Sequence, residues 1–263
     1  MNQEAGRGGW LIVTFQMESG ESLPLIVDTG CPVTCFDQSL EPKLGKRLAD
    51  ANFLNWGVSH SGGAYQTSKL YSGNTQLRSS SLFVVTLDCK WMSAIARRPV
   101  MGILGMDVMK HYCIQLDFQN DQMRFLDGTH ADTNDWGRPF RLSHLSDGCI
   151  TITENLTGEK GPPSLVDTGS DHDGVLVSKL FQQWTNHAGP PAPGEIHSPD
   201  GILGGEIYHN VKLTRLERVR RDSHTRFNMI GLQLLSRNLV TFDFPNRMMY
   251  LKRTGERPLA NKD

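Results

Sequence analysis

The sequence predicts an all-β chain made of two pseudo-symmetric halves with a few short helices. Three observations lead there. First, Leu25-Ile26-Val27-Asp28-Thr29-Gly30 returns as Ser164-Leu165-Val166-Asp167-Thr168-Gly169. Each copy is an apolar run that ends in Asp-Thr-Gly, the pattern of a buried strand stopped by a tight turn. Second, the surroundings repeat in register: Gly9 lies 19 residues before Asp28, and Gly148 lies 19 before Asp167. Third, each half carries a second signature. Asp117-Phe118 follows Gly105 by 12 residues, and Asp243-Phe244 follows Gly231 by 12. Self-similarity over nearly the whole chain marks an internal duplication.

In chain order, residues 10–15 are apolar and β-branched and read as a strand. Gly20 sits in a hairpin turn over 18–21, and 23–27 returns as the strand carrying Asp28. The second half repeats this plan with a strand at 149–153, a turn at 157–161 and a strand at 164–166. Residues 32–36 extend away from the first motif, and 40–48 read as a short helix. Gly62 and Gly63, in a polar stretch between extended segments, read as a hairpin tip or an ordinary surface turn. A strand follows at 82–87, then a short helix at 106–112 and a strand at 114–118.

The polar stretch 129–139, with Asn134, Gly137 and Pro139, divides a lobe over 1–128 from one over 140–263. Residues 175–184 include a short helix, and the Pro-rich 189–194 form a rigid loop. Gly201-Ile202-Leu203-Gly204-Gly205 imitates Gly102-Ile103-Leu104-Gly105. Only Met229-Ile230-Gly231 is followed by an aspartate-bearing strand at the right distance, so it is taken as the second signature. Gly204 and Gly205 are placed in the second half's counterpart of the Gly62-Gly63 hairpin.

Composition narrows the function classes. The chain has 263 residues, 38% of them hydrophobic, a formal net charge of −1 and a pI near 6.8. This balance does not point to nucleic acid or an anionic membrane surface. No apolar run approaches the roughly 18 residues of a membrane span. The first residues lack an apolar leader core, so a cytoplasmic location is expected, or a leader has been removed. Five cysteines without dense spacing read as free thiols. Arg215, Arg218, Arg220, Arg221 and Arg226 form a basic cluster, read as a solvated face or as a site for acidic peptide segments. Asp171-His172-Asp173 reads as polar loop or as metal ligands, and no HExxH or GxSxG pattern is present.

Two carboxylates on equivalent turns suggest one shared site. Asp28-Thr29-Gly30-Cys31 and Asp167-Thr168-Gly169-Ser170, together with the two apolar-apolar-Gly signatures, resemble the aspartic proteases of the pepsin and retropepsin clan. The resemblance implies two pepsin/retropepsin-like lobes with a central active-site cleft, and Asp28 and Asp167 as the catalytic pair. It implies support from Thr29, Gly30, Thr168, Gly169 and Ser170, and flaps bearing Gly62, Gly63, Gly204 and Gly205. It also implies a peptide or protein substrate, no cofactor and no metal. One chain carries both aspartates, so a monomer suffices, whereas a dimer using one motif per chain is a further reading. Ser170 offers a hydroxyl to Asp167 where Cys31 offers Asp28 only a weak thiol donor. Asp167 is therefore expected to be the better-stabilised anion. The alternative function is a catalytically weak or inactive peptide-binding protein on the same fold.

Overall fold

The computed structural model describes residues 1–55, 58–127, 133–158, 160–177, 180–182, 195–216 and 227–255. Its strands form three sheets of nine, seven and five strands. The architecture is all-β with short helices, in two lobes that share one pairing scheme around each Asp-Thr-Gly. In the first, Ser22–Val27 pairs antiparallel with Ile12–Met17 and parallel with Gly102–Leu104. Cys35–Asp37 then closes on Gly102–Leu104 antiparallel and on Phe83–Leu87 parallel. In the second, Ser164–Asp167 pairs antiparallel with Ile150–Ile152 and parallel with Asn228–Gly231. Gly174–Val177 closes on Asn228–Gly231 antiparallel and on Glu206–Leu216 parallel. Because the aspartate strand is flanked on both edges, it is buried, and the apolar runs of the sequence are the consequence. Leu25, Val27, Leu165 and Val166 are each at most 2% exposed.

The five-stranded sheet joins the halves. Cys113–Asp117 from the first pairs with Asn238–Asp243 from the second, and Gln115 Nε2 donates to Thr241 Oγ1 at 3.1 Å across that seam. The aspartate of each second signature ends its strand in the same side-chain-capped turn. Asn120 Nδ2 donates to Asp117 Oδ2 at 2.9 Å, and Asn246 Nδ2 to Asp243 Oδ2 at 2.8 Å. This explains why Asp and Asn recur three residues apart in both halves. One apolar core runs through both halves, from Leu11 and Phe15 to Val240 and Phe242.

Several local expectations change. The helix expected over 40–48 is a 3₁₀ turn at Gln38–Lys43, begun by Asp37, whose carboxylate accepts from Ser39 N–H at 3.0 Å. Pro42 prevents its continuation, and strand Arg47–Asn55 follows. An α-helix at Lys90–Ala96, closed by Arg97 in the left-handed region, is additional. Residues 189–194 and Arg218, Arg220, Arg221 and Arg226 lie outside the described residues, while Arg215 lies in strand Glu206–Leu216. Thr133–Trp136 is a 3₁₀ turn, and residues 138 and 139 already belong to strand Arg138–Arg141. Among the described residues, no helix is long and apolar enough to cross a membrane. All five cysteines are free.

Gly62 and Gly63 are not at a hairpin tip. They lie within strand Val58–Gln66, opposite Ala51 and Asp50 of Arg47–Asn55, and residues 56–57 between the two strands lie outside the described residues. Gly62 is required by close approach: a Cβ there would sit 1.9 Å from the Thr86 carbonyl oxygen of the adjoining strand. Gly62→Ala should therefore destabilise the chain by about 1–3 kcal/mol, read as a lower urea midpoint. An unchanged midpoint would show that the hairpin can lift off Thr86 at no cost.

Gly204 and Gly205 do form a tight turn, with φ of 59° and 82°, between Glu195–Leu203 and Glu206–Leu216. That turn is not the counterpart of the first-half hairpin tip. Glu206–Leu216 takes the place of Phe83–Leu87 in the sheet, so the Gly204-Gly205 turn stands where residues 67–82 connect in the first half. It packs against Arg138 and Phe140 of the joining sheet.

Candidate active site

Each Asp-Thr-Gly leaves its strand at the seam between the lobes and is tied to the other by the threonines. Thr29 Oγ1 donates to the Val166 carbonyl at 2.7 Å and accepts from Thr168 N–H at 3.0 Å. Thr168 Oγ1 donates to the Val27 carbonyl at 2.7 Å and accepts from Thr29 N–H at 3.0 Å. Both threonines are fully buried. The four bonds are exchanged by a two-fold axis, so the loops sit as mirror roles around one centre.

The glycines allow this approach. A Cβ on Gly30 would lie 2.7 Å from Asp167 Cγ, and one on Gly169 would lie 2.4 Å from Asp28 Cγ. Each carboxylate thus rests on the opposite loop's glycine, where any side chain would collide with it. Gly30 N–H donates to Asp28 Oδ1 at 2.7 Å and Gly169 N–H to Asp167 Oδ1 at 2.8 Å. The helix N-termini after the second signatures hold the same loops from behind. Met106 N–H donates to the Cys31 carbonyl at 2.8 Å, and Leu232 N–H to the Ser170 carbonyl at 2.7 Å. Gly105 and Gly231 take almost identical backbone angles there.

The structure thus brings together Asp28, Thr29, Gly30, Asp167, Thr168 and Gly169. Ser170 joins by its main chain, and no hydrogen bond links its hydroxyl to Asp167. Gly62 and Gly63 belong to the stem of a hairpin from the first lobe, and Gly204 and Gly205 to a turn on the joining sheet.

The electrostatics reverse the expected asymmetry. Asp167 is 5% exposed, whereas Asp28 is half-buried. Burial, and then the charge and hydrogen bond of Asp28, hold the Asp167 carboxyl well above the usual carboxylate range. The N–H groups of Gly169 and Ser170 offset this in part. This raised carboxyl does not fit the better-stabilised anion that the Ser170 hydroxyl suggested. Burial outweighs the main-chain donors at Gly169 and Ser170. Cys31 likewise turns away from the pair: its thiol donates to the Val33 carbonyl at 3.2 Å.

The chemistry of Asp171-His172-Asp173 is also settled by partners. Asp171 Oδ1 lies 2.8 Å from His172 Nδ1. Asp173, 2% exposed, faces elsewhere: its Oδ1 accepts from Arg237 Nη2 at 2.9 Å and its Oδ2 from Lys212 N–H at 2.9 Å. Among the described residues, no three His, Cys, Asp or Glu side chains converge as metal ligands. Arg237→Met should cost about 2 kcal/mol of unfolding free energy, because it leaves a buried carboxylate without its charged donor. A neutral result in denaturant titration would mean that the donors remaining to Asp173 suffice.

Two contributors were not anticipated. Asp107, 5% exposed, accepts from Thr34 N–H and Thr34 Oγ1 at 2.7 Å each and from Ser79 Oγ at 2.8 Å, and so anchors the exit of the Asp28 loop. Its place in the first turn after Gly105 was the available signal. Cys149, fully buried, donates to the Gly30 carbonyl at 3.2 Å, and nothing in its sequence context announces this.

No family model matches the chain, and no curated protein matches it. Among solved structures, it is similar to basic 7S globulin from soybean, at 11% identity and a TM-score of 0.61. The match covers 99% of this chain and 97% of that one. At that identity the likeness speaks to fold alone. The chain shares the two-lobed all-β fold of that structure, with its two Asp-Thr-Gly loops meeting at the centre.

Proposed function

We propose that the chain is an aspartic endopeptidase, working as a monomer on an extended peptide or protein segment. The observation that carries this reading is the reciprocal threonine bonding that sets Asp28 and Asp167 against each other's glycine. Two carboxylates so close cannot both ionise, and the pair shares one proton. Asp167 keeps it and Asp28 is the anion. Asp28 takes a proton from a water held between them while the water oxygen attacks the scissile carbonyl carbon. Asp167 gives its proton to the carbonyl oxygen. The resulting tetrahedral diol collapses when the amide nitrogen is protonated and the C–N bond breaks, so no acyl-enzyme forms. The hairpin of Arg47–Asn55 and Val58–Gln66 is the first-lobe element suited to cover the substrate, whose main chain would supply most of the hydrogen bonds.

A second reading is a peptide-binding protein with little activity. It is favoured by the likeness to a protein titled a globulin and by the Cys31 thiol, which points at Val33. The deciding experiment is cleavage of a diverse peptide mixture from about pH 3 to pH 8 by the wild type, Asp28→Asn and Asp167→Asn, with and without pepstatin. A bell-shaped profile lost in both variants supports the endopeptidase. Equal inertness of all three proteins supports the binder.

A further inference from the structure

Two thiols sit together directly behind the candidate active site. Cys31 follows Gly30 in the Asp28 loop, and Cys35 begins the strand that leaves it. Both sulfurs address one atom: Cys31 Sγ is 3.2 Å and Cys35 Sγ 3.3 Å from the Val33 carbonyl oxygen. Sharing one acceptor makes the two sulfurs neighbours. Their accessibilities differ. Cys31 is half-buried, whereas Cys35 is 4% exposed and packs with Ile12, Ile26 and Cys89.

The main chain around this pair is bound to the catalytic apparatus on both sides. Cys31 N–H donates to the Asp28 carbonyl at 3.2 Å, and the Cys31 carbonyl receives the first N–H of the Met106–Met109 helix. Thr34, next to Cys35, holds Gly105 N–H at 3.1 Å and Asp107.

We propose that Cys31 and Cys35 are a dithiol modification site, which a small-molecule disulfide closes into a 31–35 bridge that restrains the Asp28 loop. Cys31, the less buried of the two, attacks one sulfur of the oxidant as thiolate. A mixed disulfide forms, and one thiol of the oxidant leaves. Cys35, which the oxidant cannot reach, then attacks the Cys31 sulfur and expels the second thiol. The balance is two protein thiols and one oxidant disulfide going to one protein disulfide and two small thiols. The neighbouring Cys35 thiol, then burial and the charge of Asp28, hold the Cys31 thiol protonated, so closure is slow at neutral pH and accelerates as pH rises. Closure removes both thiol donors from the Val33 carbonyl and pulls Cys31 toward the strand, away from its present seat behind Asp28. The effect on catalysis rests on the endopeptidase reading, whereas the bridge itself does not.

The test is oxidation of the full chain with oxidised glutathione at pH 7 and pH 9, followed by alkylation, proteolysis and mass spectrometry. The wild type should yield a peptide with a 31–35 disulfide, 2 mass units lighter than its dithiol form, faster at pH 9. Cys35→Ala should instead retain glutathione on Cys31. Cys89, Cys113 and Cys149 should become alkylatable only after denaturation. Peptide hydrolysis should fall at least about threefold on closure and recover with dithiothreitol. Two free thiols at 31 and 35 after oxidation, or bridges to other cysteines, overturn the site. A bridge that forms with hydrolysis undiminished overturns its hold on the Asp28 loop. If the bridge forms in a protein that never hydrolyses peptides, only the endopeptidase reading falls.

Discussion

Asp167→Asn is expected to cut peptide hydrolysis by more than about 10³-fold and, at the same time, to raise the melting temperature at pH 7. The loss follows from the division of labour in the pair. Asparagine cannot give up a proton as the carbonyl oxygen gains charge, and it cannot share one with Asp28. The gain in stability follows from the same burial that prepares the group for its task. In the unfolded chain this carboxyl ionises near its ordinary value of 3.8, whereas in the native state burial and Asp28 keep it protonated to higher pH.

Below the unfolded value, both states hold the proton and nothing is at stake. Between the unfolded and folded values, the native state binds more protons, so stability falls as pH rises. Above both, the deficit is complete. A neutral asparagine removes the deficit, and a gain of about 1–2 kcal/mol corresponds to roughly 2–8 °C in Tm for a chain of this size. The gain should vanish near pH 3. Calorimetry of the wild type and Asp167→Asn at pH 3, 5 and 7 would show it. A variant less stable than wild type at pH 7 would sink the assignment of the proton to Asp167. In the active protein, the same group predicts a rate that declines on the alkaline side as Asp167 loses its proton, and on the acid side as Asp28 gains one.

The parts of this molecule legible in its sequence are those where a short pattern has one physical use. An apolar run into Asp-Thr-Gly needs a doubly flanked strand and a loop that a partner can approach, and both copies have it. Asp117 with Asn120, and Asp243 with Asn246, recur because each carboxylate caps the turn three residues on. Met229-Ile230-Gly231 was separable from Ile202-Leu203-Gly204 because only the former leads to such a turn. What was not legible depends on neighbours far along the chain. A glycine at a left-handed turn and a glycine under a crossing carbonyl look alike in a sequence. Gly204 is the first kind and Gly62 the second, and only the neighbours in the fold tell a turn from a strand crossing. The helix Lys90–Ala96 has no side-chain cap at Cys89, no acidic residue in its first turn and no basic residue in its last. The imbalance of the two aspartates is a matter of exposure, and counting the donors at Ser170 and Cys31 could not supply it.

Thr29→Val should be the most damaging conservative substitution in the chain, at about 3–5 kcal/mol. Valine matches threonine in shape, so packing is nearly retained and the loss isolates the hydroxyl. That hydroxyl serves two buried main-chain groups of the opposite lobe, the Val166 carbonyl and Thr168 N–H. Removing it leaves both without a partner where no water reaches them, at roughly 1–3 kcal/mol for each stranded group, besides the bonds lost. Thr29→Ser keeps the oxygen and should recover most of the deficit. Thr168→Val should behave alike, since its bonds to Val27 and to Thr29 N–H are the two-fold equivalents. Urea unfolding of the four proteins measures these costs directly. The valine variants should also lose activity beyond what their folded fraction explains, because the bonds that hold the lobes together are the bonds that aim the carboxyls. If Thr29→Val unfolded at the wild-type midpoint, the loops would be held by something other than the threonines, and the central geometric argument for a shared dyad would go with it.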